Sequence, residues 1–89
     1  MPCYIITYDL DEPGQDYDDL FELIKSYGTW NHAMDSTWFI VTEEDAETIR
    51  DYLLSAVDQN DKLFIGRLCG EGAWNGLGAQ KDDWLQKFV

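Results

Sequence analysis

Basic residues are scarce in this chain. Six Lys and Arg stand against eighteen Asp and Glu, a formal net charge of -12. A surface of that sign repels phosphate backbones, because non-specific nucleic-acid binding comes chiefly from Lys and Arg displacing counterions. It suits a partner with a basic surface, or a divalent cation held by clustered carboxylates. His32 is the only histidine, and no Ser-His-Asp geometry can be argued from one histidine in so short a chain. Long apolar runs are missing too. No stretch reaches 18 apolar residues, so no membrane-spanning helix is expected. The opening Met1-Pro2-Cys3-Tyr4-Ile5-Ile6 has no basic start and no apolar segment of signal-peptide length, so the expected compartment is the cytosol. There Cys3 and Cys69 are expected as reduced thiols, and two thiols alone do not make a structural zinc site.

What is present is enough for a core. With 89 residues, 45% of them hydrophobic and 15% aromatic, the chain reads as one folded domain over 1–89 rather than as disorder. A domain of this size hides roughly 60–65% of the surface its unfolded chain exposes. So thin a core, with so many aromatics, predicts apolar surface left for a partner.

The pattern along the chain alternates strands and helices. Cys3 to Leu10 is apolar on both faces, as in a central strand. Asp11 to Gln15 is a loop, and Asp16 is the expected cap of the next helix. Tyr17, Leu20, Phe21, Ile24 and Tyr27 form one helical stripe that Gly28 ends. Thr29 to Met34 and Ser36 to Val41 read as hairpin strands with a break at Asp35. Thr42-Glu43-Glu44-Asp45 resembles a capping box, ahead of a second stripe at Ala46, Ile49, Leu53 and Val57. Leu63 to Leu68 is the last strand, and the segment from Asp82 to Phe88 reads as a short C-terminal helix.

This order predicts an α+β, ferredoxin-like βαββαβ sandwich, with an antiparallel sheet, two helices on one face and a short helical tail. Right-handed crossovers put the first and third strands at the sheet centre and the last strand beside the first. Only the tail is left to cover the other face, which carries Ile5, Thr7 and Asp9 or their alternates. A homodimer through that sheet face is therefore expected.

Several short motifs carry a family likeness. Tyr4-Ile5-Ile6-Thr7-Tyr8-Asp9-Leu10 resembles the opening of the CRISPR-associated Cas-two family, an apolar strand ending in Tyr-Asp and an aliphatic residue. Tyr27-Gly28 and Asp35-Ser36-Thr37-Trp38-Phe39 resemble that family's Tyr-Gly and its Ser-aliphatic-aromatic strand. The chain is also similar to a compact SinR-like offshoot. The shared features are the Met-Pro start, the Asp11 to Gly14 loop, Ser26-Tyr27-Gly28-Thr29-Trp30, Ser36-Thr37-Trp38 and Asp61-Lys62-Leu63-Phe64. The likeness runs from Met1 to about Trp84 and rests on order and spacing.

The resemblance implies a ferredoxin-like homodimer. It also implies that Asp9, near the dimer axis and paired with its copy, is the catalytic residue and the ligand of Mg²⁺ for cleaving phosphodiesters of RNA or DNA. VapD-type toxins share the fold and imply RNA cleavage, whereas in CRISPR adaptation the fold bridges DNA ends as a scaffold, in a setting of CRISPR or phage defence. Enzyme and scaffold both stay open. SinR-like relatives often carry basic residues in the loop after the first strand. Here that loop holds Asp11, Glu12 and Gln15, which weighs against nucleic acid.

Ser36 matches the family's strand serine and, with Trp38, is the candidate binding pair. His32 reads first as a partly exposed structural histidine. The four tryptophans could stack bases, but without interleaved cations they suit the core and an interface better. Gly70 to Gly78 lacks the spacing of a dinucleotide-binding loop and reads as a turn region. The contrasting functional class is a non-catalytic acidic module that docks on a basic protein or mimics nucleic-acid charge.

Overall fold

Strand β1 (Cys3–Asp9) lies second from one edge of a four-stranded antiparallel sheet, between β3 (Thr37–Val41) and β4 (Lys62–Arg67). With β2 (Trp30–Met34) at the far edge, the order is β2-β3-β1-β4. The computed structural model describes residues 2–10 and 17–89. Its helices are α1 (Asp18–Lys25), α2 (Ala46–Leu54) and α3 (Ala79–Phe88). The molecule is thus α+β, with an arrangement compatible with a ferredoxin-like sandwich. The strand order is the one that right-handed crossovers predict.

Alternation along the strands sorts the side chains onto two faces. Tyr4, Ile6 and Tyr8 of β1 join Trp38 and Ile40 of β3 on the helix face, against Leu20 and Ile24 of α1 and Ile49 and Leu53 of α2. Ile6, Trp38, Ile40 and all four of those helix residues are at most 1% exposed. Burying each such side chain stabilises the fold by about 1.5–3 kcal/mol relative to leaving it in water. Phe21, Tyr27, Ala46, Ala56 and Val57 pack around this core, so both helical stripes face the sheet.

Local signals set the element ends. Gly28 terminates α1 with φ +86°, a backbone geometry that glycine adopts without a Cβ clash. Tyr17 occupies the N-cap position of α1 without a side-chain cap. The expected cap, Asp16, lies outside the described residues. At α2 the capping-box reading is corrected. Asp45 is itself the N-cap, in extended conformation, and its carboxylate accepts from Thr48 N at 2.8 Å. Thr42 Oγ1 instead accepts from Glu44 N at 3.3 Å, within the turn before the helix.

The tail differs from expectation as well. Helix α3 begins at Ala79, three residues before Asp82, because Gly78 at φ +99° turns the chain and its carbonyl accepts from Asp82 N at 2.9 Å. It packs on the sheet face opposite α1 and α2. Trp84 lies 6.4 Å from Phe39 between ring centroids, and Asn31 Nδ2 donates to Lys81 O at 3.5 Å. Leu85 is 1% exposed. On that face Val41 and Cys3 are buried, whereas Phe64 of β4 stays 60% exposed. The tail therefore shields the β2–β3 side and leaves a strip along β1 and β4 open.

Candidate functional site

Asp9 ends β1 and points with Ile5 and Thr7 to the open strip. In the ladder it stands opposite Lys62, and Thr7 stands opposite Phe64. Asp9 is exposed, and a shallow cleft of about 230 Å³ beside it is lined by Thr7, Tyr8, Asp9, Lys62, Leu63 and Phe64. The Phe64 ring lies across Gly66: a Cβ built on that glycine would meet Phe64 Cε2 at 2.9 Å. Gly66 thus lets the ring lie flat on the sheet next to Ile5, its cross-strand neighbour.

Mg²⁺ takes oxygen ligands, often one or two carboxylates with water and substrate phosphates. The Asp9 carboxylate suits that use, since it is open to solvent at a strand end. Among the described residues, no group of three His, Cys, Asp or Glu side chains comes together to hold a metal ion. Among the described residues, the carboxylate that lines this cleft is that of Asp9. Asp11 and Glu12, its neighbours in sequence, lie outside the described residues.

The candidate pair Ser36 and Trp38 is not brought to Asp9. Ser36 is exposed in the β2–β3 turn, where its carbonyl accepts from Tyr8 N at 3.1 Å. Trp38 is 1% exposed, so the expectation of a binding surface at Trp38 gives way to a core role. Period-2 alternation turns its indole toward α1, where Phe21 lies 5.7 Å away between ring centroids.

The His32 imidazole stacks on the Trp38 indole at 3.9 Å and 8°. His32 Nε2 donates to Asp35 O at 3.1 Å, and Tyr8 Oη donates to the same carbonyl at 3.2 Å. Tyr8 Oη also accepts from Trp38 Nε1 at 3.0 Å. Burial chiefly raises the Tyr8 phenol above its ordinary range, so it keeps its proton as a donor. His32 is thus a structural histidine that ties the hairpin turn to the core.

The remaining reactive groups lie apart from Asp9. Cys3 and Cys69 are both free thiols and line one cavity of about 750 Å³, together with Arg67, Glu43 and the end of α3. Burial pushes the Cys3 thiol up to about 11, which keeps it protonated and unreactive. Between α1 and α2, Tyr27 Oη donates to Glu44 Oε2 at 3.5 Å. Burial and then the Glu44 carboxylate raise that phenol well above its usual range.

Sequence reasoning did not single out Phe64. The run Leu63-Phe64-Ile65 is apolar throughout, and only the register, with Phe64 beside Thr7 and Gly66 beside Ile5, shows that Phe64 faces away from the helices. The alternation of Lys62, Phe64 and Gly66 was the available signal. No family model matches the chain, and no curated protein matches it.

Proposed function

We propose that the chain is a Cas-two-like, ferredoxin-like homodimer that associates through the open β1–β4 strip and cleaves phosphodiesters with Mg²⁺ held by Asp9 of each protomer. The observation that carries this reading is the position of Asp9: an exposed carboxylate at the end of β1, on the same face as the 60% exposed Phe64. An apolar strip with a carboxylate at one end lets two copies bury Phe64 and Ile5 while bringing two aspartates toward one axis. The ion, when bound, would supply an activated water and neutralise charge on the phosphate oxygens. Lys62, opposite Asp9 in the ladder, would meet the remaining phosphate charge.

Two measurements test this. Light scattering should report twice the 10.3 kDa chain mass at micromolar concentration. A mass of one chain across that range would end the dimer. RNA and DNA should be cut only with Mg²⁺, and Asp9→Ala should abolish cutting. Equal cutting by the variant would assign the activity to a contaminant.

A second reading rests on the helix surfaces. Asp19 and Glu22 of α1, and Glu47 and Asp51 of α2 with Glu43 and Glu44 just before it, are all exposed. Such an acidic surface fits a non-catalytic module that docks on a basic protein or mimics nucleic-acid charge. Absence of both cutting and nucleic-acid binding at low salt, with salt-sensitive binding to a basic protein, would favour it.

A further inference from the structure

The sheet edge formed by β2 carries a different surface. A groove of about 310 Å³ runs there between the strand and α3, lined by Trp30, Asn31, His32, Gln80, Lys81 and Trp84. None of these lining residues is acidic, on a chain of net charge -12. Trp30 is 37% exposed, and Lys25 Nζ sits 5.4 Å from its ring centroid. Lys81 Nζ donates to Ala33 O at 3.3 Å, which holds a second ammonium beside the strand. One of the six cationic side chains, Lys81, therefore lines a groove formed with two tryptophans and a histidine, while a second, Lys25, lies over the Trp30 ring. Strand addition by a protein partner is poorly served at this edge. β2 has five residues, its register shifts between Asn31 and Met34, and α3 lies against it.

We propose that this groove binds a planar anionic ligand of the nucleoside-phosphate type. The base lies against the exposed part of Trp30, and the phosphate meets the Lys81 ammonium group. Aromatic faces accept any base, and the volume is that of a small-ligand site. The phosphate is recognised by a local cation within an otherwise repelling field. The inference stands without the Asp9 reading, since the groove lies at β2, two strands away from β1 in the sheet. It needs neither a metal ion nor cleavage.

The test is titration calorimetry in EDTA with adenosine 5′-monophosphate, adenosine, ribose 5-phosphate, and the hexamers of riboadenylate and deoxyadenylate. The monophosphate should bind saturably and more tightly than either fragment. Trp30→Ala should weaken it about 5- to 150-fold, the range that loss of one base stack gives. Trp30→Phe, which keeps a ring, should restore most of the affinity, and Lys81→Gln should weaken the monophosphate but not adenosine. A hexamer that binds more tightly than the monophosphate identifies a single strand as the source of the ligand; equal or weaker binding identifies the free nucleotide. The proposal is overturned by no saturable binding to any probe, or by a Trp30→Ala variant with native circular dichroism and unchanged affinity. Because the assay contains no metal, its failure would leave the cleavage test at Asp9 untouched, and the converse holds.

Discussion

The indole of Trp38 in β3 donates to the Tyr8 hydroxyl in β1 at 3.0 Å, and the same hydroxyl donates to the Asp35 carbonyl in the hairpin turn. Tyr8→Phe keeps the ring but leaves the buried Trp38 Nε1–H without its acceptor. The expected loss is about 1–3 kcal/mol, the cost of an unsatisfied buried donor. In urea unfolding the midpoint should fall with an unchanged slope. Combining Tyr8→Phe with Trp38→Phe should cost less than the sum of the two, because the second change removes the orphaned donor.

Leu85 is the anchor of α3. At 1% exposed it is the buried residue of that helix. Leu85→Ala should destabilise the protein by about 2–5 kcal/mol through lost burial and the cavity left behind. Hydrogen exchange should then accelerate first in α3 and at Asn31, whose side chain donates to Lys81 O.

The two thiols should separate cleanly in a labelling experiment. Cys69 is exposed, whereas Cys3 is buried and its thiol is pushed up to about 11. A thiol reagent at neutral pH should modify one cysteine quickly in the native protein and the second only on unfolding. Cys69→Ser should remove the fast phase.

The Asp45 cap gives stability a dependence on pH. Hydrogen bonds from Thr48 hold its carboxyl below the ordinary 3.8. Its folded value is depressed, so its contribution is present above the unfolded value and is lost as pH falls through the folded one. Asp45→Asn, which still caps but does not titrate there, should flatten the acid limb of a stability profile measured by thermal melting, with little change at pH 7.

These residues also show what the sequence made legible. The stripes Tyr17-Leu20-Phe21-Ile24 and Ile49-Leu53 fixed the core-facing sides of α1 and α2, because a 3.6 period has one apolar side. The break at Asp35 showed through the β-branched and aromatic run that follows it. The face of Trp38 did not show. Phe39 and Val41 are as apolar as Trp38 and Ile40, and the difference is settled only by which helices lie above each face. The start of α3 was hidden because Gly76-Leu77-Gly78 reads as more turn, whereas Gly78 is the N-cap of the helix. Asp45 and Thr42 are both capping residues three positions apart, and their sequence spacing alone favoured the wrong one. For Asp9, the strand end was readable and its surroundings were not. Exposure and the Lys62 register come from pairing with a strand more than fifty residues away.

Helix α3 covers one side of its sheet face and stops short of Phe64. Removing residues 79–89 would join the two sides into one apolar expanse from Phe64 through Ile5 to Phe39. The shortened chain should then behave as a colloid balanced between like charge and a sticky face. At low ionic strength the net charge would keep copies apart. Near 1 M salt, where the screening length shrinks to about 3 Å, the same chains should coalesce. Turbidity that rises with salt in the truncated protein, but not in the full chain, would show that the tail contributes to solubility as well as to stability.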